Sequence, residues 1–330
     1  MTKLLIIRFS ALGDVAMAVP LVRALAEQYP DLDITMLSRR NWEPLFRAMP
    51  PNVHFYGADL KHHHFGREGL DLLLRDIDYR SFDVVADLHG VLRSDYLTLR
   101  MHLAGIKTRR IQKNKPSRLW LRSRFNRHKR PLPRMSDRYK RVFARLGYPI
   151  ADTVIIPPAA PVERKNIGIA PFAAHKGKIY PLAKMEQVVA VLGDIMAQRG
   201  EAVLLFGAGP SEKATLDHWE RKYKGVTSMV GKYALDEDVR LMSTLRLMLT
   251  MDSGNMHLAS LAGTKCLSIW GATDRKMGFS AYGQTEADCI CRDLPCRPCS
   301  TYGDTPCRFG DYRCLDIEPK YIVNRILESI

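Results

Sequence analysis

The sequence predicts an α/β protein made of two doubly wound, parallel-sheet domains. Three observations carry this expectation. Short apolar runs alternate with amphipathic stretches, as strands and helices do around a parallel sheet. The alternation occurs twice within 330 residues, each time over a length that suits one domain. Between the two lies 152–165, DTVIIPPAAPVERK, whose prolines discourage a helix and suit a connection. Residues 1–155 are therefore assigned to an N-terminal domain and 156–330 to a C-terminal one.

In the first half, 3–9, 33–37, 53–56 and 83–88 read as strands, with helices near 14–28, 42–48 and 69–77. In the second half, 166–170, 202–206, 247–251 and 266–270 are the strands. Helices are expected near 182–198, 212–223, 236–243 and 255–262. A last amphipathic segment, 319–330, should be a closing helix, and packing back on the N-terminal domain is allowed for it. Two doubly wound domains place ligands at the carboxyl ends of their strands, in a cleft where the domains face each other.

An apolar content of 46% excludes general disorder. No run approaches the roughly eighteen apolar residues of a membrane span. The N-terminus MTKLLIIRF has no cleavable-signal pattern, so the expected location is the cytoplasm. The net charge of +15 is local, because residues 100–145 hold seventeen Lys or Arg and one acid, Asp137. Such a block suits nucleic acid, an anionic membrane leaflet or a phosphorylated substrate. Part of it is helical by spacing, at Tyr139, Val142, Phe143 and Leu146.

Three segments carry candidate chemistry. A strand ends at Phe9 and a helix begins near Gly13, which leaves Ser10 to Asp14 as a loop at a strand's carboxyl end. Asp14 there is either a helix N-terminal carboxylate or a general base. In LMLTMDSGNMHL, the turn Asp252-Ser253-Gly254 opens a helix carrying His257, and free N–H groups at such an opening suit phosphate oxygens. A capped helix with a structural histidine is the plainer alternative. In IAPFAAHKGKIYP, the loop with His175, Lys176 and Lys178 could neutralise a diphosphate.

Taken in order, these segments resemble glycosyltransferase family 9, the ADP-heptose:lipopolysaccharide heptosyltransferases. Ser10-Ala11-Leu12-Gly13-Asp14-Val15 is similar to the family's Ser-x-x-Gly-Asp-Val signature. Asp87-Leu88-His89-Gly90, with Arg93-Ser94, is similar to its Asp-x-Gln-Gly-x-x-Lys-Ser segment. Lys178-Ile179-Tyr180-Pro181 stands where Lys-x-Trp-Pro is usual. Asp252-Ser253-Gly254-x-x-His257-Leu258 matches the Asp-[Ser/Thr]-Gly-x-x-His-Leu motif, followed by Trp-Gly-Ala-Thr-Asp at Trp270 to Asp274.

The resemblance implies a GT-B fold of two Rossmann-like domains, acceptor on the N-terminal and donor on the C-terminal one. It implies an inverting, metal-independent transfer, most simply of heptose from ADP-heptose to an inner-core lipopolysaccharide acceptor. Asp14 matches the base. Lys178, Glu212, Asp252, Ser253, Gly254 and His257 match the donor side, and Ser10, Gly13, Asp87, His89 and Arg93 the acceptor side. The basic block would then meet a lipid-anchored, phosphate-bearing acceptor and the inner face of an anionic membrane. Departures are Ala173 and Ala174 in place of hydroxyl residues, Tyr180 for Trp and His89 for Gln. They leave another nucleotide sugar as the alternative donor, and a basic nucleic-acid-binding protein as the alternative of another class.

Other signals are weaker. Gly207-Ala208-Gly209-Pro210 lacks the third glycine of a dinucleotide loop. His62-His63-His64 reads as a polar loop, with no acid or cysteine at ligand spacing. Six of seven cysteines crowd between Cys289 and Cys314. Of these, Cys296, Cys299, Cys307 and Cys314 suit either a structural zinc or free, redox-sensitive thiols.

Overall fold

The computed structural model describes residues 1–126, 128–151 and 163–330. The chain runs β1 (Thr2–Ile7), α1 (Leu12–Gln28), β2 (Leu32–Arg39), β3 (Val53–Ala58), α2 (Gly66–Asp76), β4 (Val84–Asp87), α3 (Leu92–Leu103), β5 (Lys107–Arg110), α4 (Lys115–Arg122) and α5 (Met135–Leu146). It continues with β6 (Ile167–Ala170), α6 (Leu182–Gln198), β7 (Val203–Leu205), α7 (Gly209–Lys222), β8 (Val226–Ser228), α8 (Leu235–Ser243), β9 (Leu247–Met251), α9 (Gly254–Leu261), β10 (Cys266–Ile269), β11 (Cys289–Ile290) and α10 (Pro319–Leu327).

Two parallel sheets result, ordered β3-β2-β1-β4-β5 and β11-β10-β9-β6-β7-β8. In each, the order reverses beside a central strand, β1 in the first and β6–β9 in the second. That places the loops after β1 and β4, and those after β6 and β9, side by side at the carboxyl edges, where doubly wound folds bind ligands. Leu4, Leu5, Ile6 and Ile7 of β1 are fully buried, as a central parallel strand covered on both faces requires.

Two compact units divide the chain: Met1–Asn114 with Arg134–Ile155, and Lys115–Pro133 with Ile156–Ile330. The expected junction at 155/156 and most of the proline-bearing connection lie outside the described residues. One assignment is corrected: Lys115–Pro133, expected in the N-terminal domain, belongs to the second unit. Its hydrogen bonds explain why. Arg118 donates to Tyr302 Oη (3.0 Å), Arg122 Nε to the Cys299 carbonyl (3.1 Å), and Leu132 N–H to the Lys276 carbonyl (2.8 Å). The closing helix α10 places Ile322, Val323 and Ile326 in the second unit's own core. The helix expected over 42–48 is instead a 3-10 segment over Arg40–Phe46, where Pro44 removes a backbone donor. No helix of the described residues is long and apolar enough to cross a membrane.

Candidate active site

In the first unit, Arg8 follows directly on the apolar β1. Its side chain is 4% exposed, and a buried guanidinium needs partners. It has them: Nη2 donates to Asp14 Oδ2, Nη1 donates to the Leu88 carbonyl (2.6 Å), and the guanidinium lies 5.8 Å from the Tyr139 ring centre. Burial opposes the charge, yet the surrounding Asp14, Tyr139 and Asp87 raise the Arg8 pKa above its usual value. Asp14 sits in the first turn of α1, whose N-cap Ala11 offers no side-chain cap. The carboxylate is thus held by Arg8 at a helix N-terminus, half-buried and aimed by a rigid neighbour. Gly13 beside it is buried.

The loop after β4 supplies the second wall. Asp87 is fully buried and accepts from His89 N–H (2.8 Å), Gly90 N–H (2.9 Å) and Ser94 Oγ (3.0 Å). Asp87, expected on the acceptor side, thus uses both oxygens to shape the loop. What it positions is His89, whose Nε2 lies 3.5 Å from Ser10 Oγ. Burial, followed by the charges of Arg8, Lys113, Arg39 and Arg93, pushes the His89 pKa down to about 3. The ring is neutral at working pH and presents one N–H donor and one lone pair. A glutamine amide presents the same complement, so the departure from the expected Gln keeps the hydrogen-bonding chemistry. Arg93 lies in the first turn of α3, half-buried.

In the second unit, Lys178 ends the loop after β6 and lies 3.0 Å from Asp252 Oδ2 at the end of β9. Asp252 also accepts from Thr273 Oγ1 (2.7 Å) and is 4% exposed. Ser253 caps α9 by position only, its Oγ lying 3.2 Å from Thr250 Oγ1. Gly254 opens the helix and His257, 7% exposed, follows one turn on. A cation, a helix N-terminus and a glycine turn thus share adjacent strand ends, an arrangement that accepts a diphosphate. Glu212 stands on α7 after β7, next to β6 in the sheet, and its Oε2 accepts from Ala208 N–H (2.7 Å).

Several contributors were not legible beforehand. Arg8 had a signal, a lone cation ending an apolar strand. Thr273 had a signal in the Trp-Gly-Ala-Thr-Asp stretch, though not its Asp252 partner, and Gly303 had none. A Cβ on Gly303 would stand 2.5 Å from Lys178 Cγ, and its φ is +83°, so this glycine lets the cysteine-rich loop pack on the lysine stem. Tyr180, in place of Trp, is fully buried and donates to the Ile317 carbonyl (2.6 Å), tying down the chain before α10.

Two clusters bear on metal binding. Among the described residues, the His, Cys, Asp and Glu ligand atoms that gather within 4.8 Å are those of His63, His64 and Asp76. The acid missing from the local sequence is therefore supplied by α2. His64 Nδ1, however, accepts from Asp59 N–H (3.1 Å), which puts the ring proton on Nε2 facing Asp76 Oδ2 (3.0 Å). A protonated nitrogen is not a ligand, and this trio pins the 59–64 turn to α2. Cys296, Cys299, Cys307 and Cys314 share one neighbourhood, since Cys314 feels the other three and Cys299 feels Cys296 and Cys307. They are not at ligand spacing, and all seven cysteines are free thiols. Burial raises the Cys299 thiol and takes Cys314 up to about 11.

The sequence model of glycosyltransferase family 9 (heptosyltransferase) matches residues 72–308. The chain belongs to glycosyltransferase family 9. It is 24% identical over 292 residues to the lipopolysaccharide core heptosyltransferase OpsX of Haemophilus influenzae, covering 81% of this chain and 78% of that one. It is 27% identical over 306 residues to lipooligosaccharide heptosyltransferase 2 of the same organism, covering 82% and 84%. Among solved structures, a family 9 glycosyltransferase from Veillonella parvula aligns with TM-score 0.74 at 18% identity, over 99% of this chain and 97% of that one. Escherichia coli heptosyltransferase WaaC with ADP aligns with TM-score 0.68 at 15% identity, over the whole of both chains. The two α/β units are those of the GT-B fold, and the chain is a glycosyltransferase.

Proposed function

We propose that this family 9 enzyme transfers heptose from ADP-heptose to an inner-core lipopolysaccharide acceptor, with inversion, by a single displacement. The observation that carries the reading is the Lys178, Asp252 and α9 N-terminus cluster in the second unit, and the Arg8-held carboxylate of Asp14 at a helix N-terminus in the first supports it. Asp14 takes the proton of the acceptor hydroxyl as that oxygen attacks the anomeric carbon. The bond to the diphosphate breaks on the opposite face, so configuration inverts. Developing charge on ADP is met by the Lys178 ammonium and the N–H groups of Ser253, Gly254 and Asn255, which suffices without a divalent cation. Ser10, neutral His89 and Arg93 orient the acceptor. Glu212 offers its second oxygen to the ribose, while Ser253 and His257 contact the donor.

The same reading locates the work at the inner face of the cytoplasmic membrane, where an acceptor carried on lipid is found. Support comes from the named heptosyltransferases and from the basic block, with its single acid. The test is transfer from ADP-heptose to heptose-deficient acceptor, followed by mass spectrometry in the presence of chelator. Wild type should transfer. Asp14→Asn should lose about 10²–10⁴-fold in rate while calorimetry shows unchanged ADP affinity. Turnover in Asp14→Asn equal to that of wild type would remove the base. Selective binding of another nucleoside diphosphate would replace the donor.

A further inference from the structure

We propose that α4 and the turn after it form an interfacial anchor, which enters the headgroup layer of a bilayer bearing anionic lipid through Leu119, Trp120 and Phe125. This rests on the lipid-borne acceptor in the function proposed above. Side chains of this size are normally withdrawn from water, yet Leu119 is 67%, Trp120 59% and Phe125 73% exposed, all within seven residues. They are not exposed because the segment is loose. The opposite face of α4 buries Arg118 and Leu121, with the Arg118 guanidinium 5.0 Å from the Phe279 ring centre. Asn126 Nδ2 donates to the Trp120 carbonyl (3.2 Å), and Lys129 Nζ donates to the Leu121 (2.9 Å) and Ser123 (3.2 Å) carbonyls. The helix is thus fastened by polar contacts on one side and presents its apolar groups on the other.

Charge selects the occupant. No acidic residue occurs between Asp95 and Asp137, and Lys115, Arg124 and Arg130 stand exposed around the apolar group. A hollow of about 410 Å³ beside it is lined by Leu119, Arg122, Arg124 and Arg308, with room for a headgroup phosphate. Apolar tips within a cationic rim fit an anionic interface, where a tryptophan ring settles at headgroup depth. A single-stranded nucleic acid would also use cations and aromatic faces. Leu119, 67% exposed, offers no ring for a base to stack on, which favours the bilayer.

The insertion is directly readable because Trp120 is distinctive. Trp219 and Trp270 are buried, and Trp42 gives its Nε1–H to the Phe9 carbonyl (3.1 Å). Full-length protein is mixed with phosphatidylglycerol–phosphatidylcholine vesicles whose phosphatidylcholine is brominated, and tryptophan quenching is recorded. Quenching is expected in wild type and should vanish in Trp120→Phe, which still binds the vesicles. A Leu119→Ser/Phe125→Ser variant should bind about tenfold more weakly at high salt, where charge attraction is screened. Absence of quenching, or vesicle binding that high salt abolishes equally in wild type and the double variant, overturns the anchor and leaves surface attraction alone. Trp120 quenching by single-stranded RNA but not by vesicles overturns it in favour of nucleic acid. ADP titration of the same samples separates the two proposals. Selective ADP binding without quenching defeats only the anchor, whereas failure to bind ADP defeats the donor assignment.

Discussion

Replacing His89 by glutamine isolates one buried titration. In the folded chain His89 is neutral until pH falls toward about 3, whereas a free histidine protonates near 6.5. Between those values the unfolded chain holds a proton that the folded chain refuses. The stability tied to this group is therefore complete above 6.5 and is lost as pH falls toward 3. At about pH 5 the difference is roughly 1.5 pH units at about 1.4 kcal/mol each, or about 2 kcal/mol. The ring is 8% exposed, so solvent does little to reduce it. Glutamine keeps one donor and one acceptor but cannot titrate. Thermal denaturation by circular dichroism at about pH 7.5 and pH 5 should show wild type losing about 2 kcal/mol more than His89→Gln, roughly 4–8 °C in melting temperature. Parallel losses in the two proteins would mean that His89 accepts its proton in the fold, and the neutral-imidazole account of acceptor binding would fall with it.

Lys178→Ala should weaken ADP binding about tenfold or more in calorimetry, and should also lower the melting temperature because Asp252 keeps a buried carboxylate without its ammonium. ADP affinity equal to wild type would displace the donor site from this loop. Gly303→Ala should weaken ADP binding in the same assay and destabilise the protein by about 1 kcal/mol or more, since its φ is +83° and the added methyl meets the Lys178 stem. Full affinity in that variant would show that the lysine tolerates displacement.

Strands β1, β6 and β9 were legible because a central parallel strand is a largely apolar run, and these are. The β5 strand, KTRR, was not: it lies at the sheet edge with three of its four residues exposed, so no apolar signal marks it. Helix α3 escaped for a related reason, since it buries only Ser94, Leu97 and Met101 and leaves Leu92 and Leu103 in solvent. At the site, motif residues were legible by type and spacing, but their partners were not. Asp87 and His89 read as equals in the sequence, and only the hydrogen bonds from the His89 and Gly90 N–H groups to Asp87 show which of the two shapes the loop. Asp76 was invisible to a local search around the histidines because a helix carries it back from twelve residues away.

The loan of Lys115–Pro133 from one unit to the other bears on how the chain is made. The polypeptide leaves the first unit after Asn114, re-enters it at Arg134 to lay down α5, and departs again beyond residue 151. As synthesis proceeds, the first unit can close around α5 while α4 waits, because Tyr302, Cys299 and Lys276 have not yet been translated. For that interval a cationic segment with an outward tryptophan has no host. A fragment ending near 151 would keep it in that condition permanently, and no single cut of the chain yields two self-sufficient halves.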